Sequence, residues 1–230
     1  MLGYPKVRLS ARLNYIFWLT CAMLVFMLAI LLSVIVISFS GVMMPGPMFA
    51  VTLAKSYKSQ WAGVHISLGH AVIEVPLILL IYFGFAPFFK NATVQLILSV
   101  LGSAMILWLG ISMFRSRREV VTKGKDLPYS AFTAGIMMSG LNPFFLLWWA
   151  TIGSMLIMRI TGFGIMGLTA FTLVHWLCDL VWLTFVSLLV YRTRALWGRK
   201  FQEWVFIACS LLLVGFGVWF FISGVRPFFS

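Results

Sequence analysis

Acidic residues are scarce in this chain: five Asp and Glu among 230 residues. Charge of any kind is scarce, at 10% of residues. A soluble domain carries about a quarter charged residues, so most water-soluble folds are excluded. Lys and Arg number 17, which leaves a net charge of +12. That excess does not point to nucleic acid, because a basic binding domain needs a polar surface that this composition lacks. Cysteine and histidine number three each. Cys21, Cys178 and Cys209 lie in apolar runs without paired spacing, which excludes a disulfide framework and a zinc knuckle. There is no Ser-His-Asp set, phosphate-binding glycine loop or soluble cofactor fold, so neither an enzyme nor a bound cofactor is expected. What the chain has in quantity is apolar: 62% of residues are hydrophobic, with a mean hydropathy of +1.05. The class implied is an all-α polytopic membrane protein.

A membrane helix needs about 20 apolar residues to cross about 30 Å of hydrocarbon. Six segments qualify: about Phe17 to Val42, Ala62 to Phe85, Val94 to Phe114, Phe132 to Met158, Gly164 to Val190 and Trp204 to Ile222. Their apolar runs are continuous, which excludes the alternating pattern of a membrane β-barrel. Lys and Arg concentrate between spans one and two, three and four, and five and six. Basic loops stay on the cytoplasmic side, which predicts both termini outside the cytoplasmic membrane. Lys6, Arg8 and Arg12 oppose that orientation. The run from Tyr15 to Val42 is also longer than one span needs, and Met23 or Met27 would each begin a span of ordinary length. Residues 1–22 therefore read as an N-terminal extension, and residues 23–230 as the six-helix domain.

The two halves share a pattern. Span one ends at Pro45-Gly46-Pro47, and span four contains Asn142-Pro143. Span two carries His70 and Glu74, and span five His175 and Asp179. Each half thus reads as a helix interrupted by proline, a helix with His and an acid at i and i+4, and a plain apolar helix. Three spans per half makes the second half enter from the opposite side. The expectation is two inverted three-helix repeats, about 23–114 and 130–223, with a binding site between the broken helices.

A carboxylate at the centre of a span costs about 3 kcal/mol even on a mild insertion scale, so it faces a cavity or a partner. Glu74 and Asp179 are such carboxylates, at similar depth. Each shares a helix face with its histidine, so four titratable groups can converge. They suit proton coupling or the cationic part of a substrate; the structural alternative is that each pair merely neutralises itself. Two imidazoles and two carboxylates also suit a divalent transition metal, which makes His70, Glu74, His175 and Asp179 the ligands of an alternative metal-export reading. Pro45, Gly46, Pro47 and Pro143 break helices at membrane depth and free backbone groups to line a cavity, and Asn142 adds a donor and an acceptor. Trp148 and Trp149 are candidate pore-lining residues, with interface packing as the plainer reading. His65 points away from His70, toward the interface.

Pro45-Gly46-Pro47, Gly69-His70 and Leu141-Asn142-Pro143 resemble the LysE-type translocators, the lysine exporter and homoserine/threonine efflux family. The stretch Asn142 to Gly153 and His175-Trp176-Leu177-Cys178-Asp179 resemble an archaeal-like branch of it. The resemblance covers about Met27 to Ile222. It implies a six-span exporter of amino acids or similar small metabolites in the cytoplasmic membrane, driven by the proton gradient. The partners it implies are a small-molecule substrate and the lipid bilayer, with a homo-oligomer compatible. The family commonly carries a lysine directly after Asn-Pro, where this chain has Phe144. The wider superfamily includes divalent-metal exporters.

Overall fold

The computed structural model describes residues 5–43, 46–123 and 126–226. Among them helix is the only regular structure. The first half comprises α1 (Pro5–Val42), α2 (Pro47–Ser56), α3 (Ala62–Tyr82), the short α4 (Ala86–Lys90) and α5 (Ala92–Lys123). The second opens on α6 (Ala131–Gly140), breaks at Asn142 and continues as α7 (Pro143–Trp148). A π-helical turn (Trp149–Gly153) leads into α8 (Ser154–Ile160), then α9 (Gly164–Thr193) and α10 (Arg199–Val225).

Five helical runs are long and apolar enough to cross a membrane, and the shorter α6 accompanies them. One of the five, Pro143–Leu196, has 54 residues. At 1.5 Å per residue that is about 80 Å, far beyond one crossing. It is a hairpin. Gly164 takes φ 60° and ψ −150°, outside the helical region and open to glycine. Across that turn Trp149 lies against Phe171 and His175. The long apolar segments are therefore Asn14–Val42 of α1, α3, α5, the run from α7 to α8, α9 and α10, with α6 beside them, and the chain is an all-α polytopic membrane protein.

The outer surface is that of a protein solvated by lipid. On α9 the residues Leu173, Leu177, Val181, Phe185 and Leu189, four apart, form an exposed apolar stripe. In water such a stripe would be an association surface. The opposite face buries His175, Asp179, Leu183 and Ser187. Polar groups inside and leucines outside is the arrangement lipid selects.

Inside, helices approach at small residues, as expected where dispersion and close packing hold helices together. A Cβ at Gly63 of α3 would strike the carbonyl of Leu183 on α9, and one at Gly135 of α6 would strike the carbonyl of Ile66 on α3. Ser187 donates to the carbonyls of Ser59 and Gln60, while Trp176 donates to Ser67. Residue numbers on α3 and α9 thus run in opposite senses along their shared face. The same holds for α5 and α10, where Gly110 faces Ser210 and Gly217 faces Leu107. Two buried clusters result. One joins α2, α5, α6 and α10 around Val51, Met113, Met138 and Phe206. The other joins α1, α3, α9 and the α7–α8 segment around Val34, Ile78, Trp149 and Phe171.

Three features differ from the sequence expectation. Residues after Gly46 form a helix, not a loop, and Lys55 at its end is buried against Asp126 at 3.0 Å. α5 runs through the basic stretch expected as a loop, since Arg115 to Lys123 contains neither glycine nor proline and Val120 packs into the core. α1 begins at Pro5, well before the Phe17 expected. Pro45 lies outside the described residues.

Candidate functional site

The site is assembled from both halves. α3 presents His70 and Glu74 one turn apart, and α9 presents His175 and Asp179 in the same way. The antiparallel crossing of these helices brings all four together. Glu74 sits at the centre: its Oε1 lies 2.9 Å from His70 Nε2 and 3.1 Å from His175 Nε2. Asp179 Oδ2 stands 3.7 Å from His70 Nε2 and 3.8 Å from His175 Nε2. All four side chains are buried, Glu74 completely. The metal-ligating atoms of His70, Glu74 and Asp179 fall within 4.8 Å of one another.

Each histidine reaches across to a serine of the opposite half. His70 Nδ1 bonds Ser139 Oγ on α6. His175 Nδ1 bonds Ser38 Oγ on α1 at 2.6 Å. Ser38 and Ser139 were not expected as site residues; the only signal was that each stands just before a helix break. Ser139 also donates to the Gly135 carbonyl, at 2.7 Å. A hydroxyl has one hydrogen, so satisfying both bonds puts a proton on His70 Nδ1. His70 Nε2 then meets Glu74 Oε1 with one further proton between them. The pair is either an imidazolium on a carboxylate or an imidazole on a carboxylic acid. Ser38 can donate or accept, so His175 carries no such constraint.

The two helix breaks differ. At the second, Asn142 is the N-cap of α7 and its side-chain oxygen accepts from the amides of Phe144 and Phe145, at 3.0 and 3.4 Å. Pro143 occupies N1, where it loses no intrahelical bond. The acceptor that the sequence offered to a cavity is thus committed to the chain's own helix. At the first break Gly46 is the N-cap of α2, with Pro47 following, and no side chain caps it.

A cavity of about 430 Å³ opens between the breaks. Gly46, Pro47, Asn142 and all four titratable side chains line it. Trp148 and Trp149 line it as well, and both rest on His175, at ring-centroid distances of 5.6 and 4.8 Å. Phe171 completes the aromatic surround at 6.0 Å; it sits one turn before His175 on α9, a spacing that would have flagged it. His65 lies elsewhere, exposed and bonded to the Trp61 carbonyl at 2.8 Å. Glu74 Oε2, Asp179 Oδ2 and Trp149 Nε1 are buried without a hydrogen-bond partner among the described residues.

The π-helical turn begins at Trp149 itself. Such turns insert one residue into a helix and re-aim its side chains; here the result is two adjacent tryptophans on one imidazole. This apolar stretch gives no periodic sign of it in the sequence.

Comparison with known proteins places this architecture. "Putative amino acid efflux protein YcgF" of Bacillus subtilis (strain 168) is 25% identical over 203 residues, covering 86% of this chain and 97% of that protein. No solved structure matches the chain. The LysE type translocator family matches residues 39–224, a stretch that contains both helix breaks and all four titratable residues, and the chain belongs to that family.

Proposed function

We propose that this translocator exports amino acids or similar small metabolites across the cytoplasmic membrane, coupled to protons. One observation carries the reading: two imidazoles and two carboxylates, one pair from each half, meet in a buried cavity between two helix breaks. Buried ionisable groups within spans mark substrate and proton pathways. The His70–Glu74 contact needs a proton by donor accounting alone, which supports it as the coupling pair. The relative's printed name supports amino-acid efflux.

The architectural part of the proposal is a pair of inverted repeats, about 23–114 and 130–223, with residues 1–22 as an extension. In such a pair, equivalent helices run in opposite directions. The antiparallel packing of α3 on α9 and of α5 on α10 supports this, as do the crossed bonds His70–Ser139 and His175–Ser38. The positive-inside rule favours the face carrying Lys58, Arg192 and Arg194 as cytoplasmic, with both termini outside.

Proteoliposomes test the function. With labelled amino acid inside, an imposed proton gradient should drive release, and Glu74→Gln should abolish driven release while leaving exchange measurable. Thermal stabilisation by manganese or zinc alone, lost in His70→Ala and His175→Ala, would overturn the amino-acid reading in favour of metal export.

A further inference from the structure

Building on the exporter reading, we infer that the cargo is a neutral amino acid with an apolar side chain, held as a zwitterion with its carboxylate on the open first turn of α2 and its ammonium on Glu74 and Asp179. Three independent features of the cavity meet in this assignment.

The first is the contrast between the two breaks. The first-turn amides of any helix lack intrahelical acceptors. At α7 the chain supplies one, through Asn142. At α2 it supplies none: the N-cap is Gly46, and Gly46, Pro47, Met48 and Phe49 all line the cavity. The positive end of a ten-residue helix therefore faces the cavity without a side-chain cap, a setting that receives a carboxylate.

The second is the carboxylates. Glu74 and Asp179 line the same cavity, and Glu74 Oε2 and Asp179 Oδ2 are buried without a hydrogen-bond partner among the described residues, Asp179 Oδ2 facing the two imidazoles only at 3.7 and 3.8 Å. An ammonium with three donors is the group that such oxygens receive. An anion-receiving helix end and a cation-receiving pair of carboxylates in one cavity match the two ends of a zwitterion.

The third is the wall. Among the described residues no Lys or Arg lines the cavity, and the titratable side chains there are the two His–acid pairs. Apart from Ser38, Ser40 and Asn142 the rest is apolar and aromatic, with Phe49, Met138, Phe144, Ile152, Phe216 and Trp219 among it. A charged cargo side chain buried there would lack partners, which costs several kcal/mol. An aliphatic or aromatic side chain gains from the same surface. Phe144 follows directly on Asn142-Pro143, so the residue at that position adds to the apolar wall.

Exchange in proteoliposomes separates the outcomes. Labelled leucine, lysine or glutamate is preloaded in separate vesicles, and unlabelled competitors are added outside. Leucine, methionine and phenylalanine should exchange. Lysine and glutamate should not, nor should isoamylamine, which lacks the carboxylate, or 4-methylpentanoate, which lacks the ammonium. Gly46→Asn would reproduce at α2 the cap that Asn142 gives α7. The backbone there is extended, at φ −140°, a conformation open to any residue. It should cut exchange about tenfold, in the range of one cap interaction, with thermal stability held or raised. Gly46→Ala, which offers no oxygen, should lose less. Equal losses in the two variants, or exchange by isoamylamine, overturn the placement of the carboxylate. Exchange of lysine or glutamate in place of leucine overturns the apolar cargo while leaving amino-acid export standing. Exchange of no amino acid overturns the exporter reading itself.

Discussion

His70 and His175 hold matching places, and their differences show how one site can be built from two similar halves. Each stands one turn before an acid, turns Nε2 to Glu74 Oε1, and turns Nδ1 to a serine of the other half. The surroundings then diverge. His70 meets Phe145 edge-on at 5.1 Å, and its Nδ1 proton is fixed by a serine whose own hydrogen is committed to Gly135. His175 lies among Trp148, Trp149 and Phe171, and its serine can bond either way. Hydrogen-bond accounting holds a proton at His70; at His175 aromatic faces are available to stabilise an imidazolium. Matching positions therefore need not have matching roles.

The largest effect belongs to Glu74, where the two environments join. Glu74→Ala leaves both histidines without their Nε2 hydrogen-bond partner inside the membrane, with Asp179 at 3.7 and 3.8 Å the nearest remaining carboxylate. Removing one member of a buried pair costs about 3–5 kcal/mol, so this variant should lose most of its folded yield in detergent. Glu74→Gln keeps an acceptor for both imidazoles but cannot become a carboxylic acid. It should fold, retain measurable though weakened exchange because Glu74 also receives the cargo ammonium, and lose gradient-driven release by about a hundredfold or more, the size of one fully lost proton-transfer role. Full driven release by the Gln variant would remove Glu74 from coupling.

Next comes the packing that sets the His70 side. Gly135 admits the α3 backbone so closely that a Cβ would collide with the Ile66 carbonyl and crowd the His70 amide. Gly135→Val should lower the melting temperature in detergent more than any of the serine variants, since overpacking costs about 1–3 kcal/mol and here the obstacle is backbone. The analogous probe on the His175 side is Gly41→Ala, on the helix of Ser38. There the nearest atom a Cβ would meet is the Trp148 indole nitrogen, at 4.0 Å, and the change should be tolerated.

The serines sharpen the comparison most directly. Ser139→Ala leaves a buried Nδ1–H without an acceptor, a loss of about 1–3 kcal/mol. It should reduce driven release about tenfold. Ser38→Ala should reduce it by about two- to threefold, because nothing commits the His175 Nδ1 to carry a proton. Parallel flux measurements on the two variants decide it; equal losses would mean that the two histidines are equivalent after all.

Much of this was legible in the sequence, for reasons specific to each residue. The spans were legible because lipid demands long apolar runs. Glu74 and Asp179 stood out because an acid in such a run needs a partner, and their histidines followed from helical spacing. Pro47 and Asn142-Pro143 announced the breaks. Ser38 and Ser139 did not stand out, because serine is ordinary in membrane helices and only the fold shows which of them reach an imidazole. The helical, buried place of Lys55 did not stand out for a related reason. A ten-residue helix between a proline break and a turn leaves too short a periodic signal, and burial of a lysine depends on Asp126, 71 positions away.

That pair offers the smallest effect and a control for the central ones. Lys55 joins the end of α2 to the segment leading into α6, so it links directly the two interrupted spans whose serines the histidines reach, and neither Lys55 nor Asp126 lines the cavity. Its ammonium bonds Asp126 at 3.0 Å and sits 5.1 Å from the Tyr129 ring centroid. The Leu127 carbonyl is a further acceptor at 3.5 Å. Asp126 is half exposed, at 53%, so water screens the attraction and the pair is worth about 0.2–1 kcal/mol. Asp126→Asn retains an oxygen for the ammonium and for the Leu127 amide that Asp126 now caps. It should lower the melting temperature in detergent by a few degrees at most and leave exchange within about twofold of wild type. A larger loss of exchange with an unchanged melting temperature would show that this joint works in transport, and that the two interrupted spans are coupled directly at their ends.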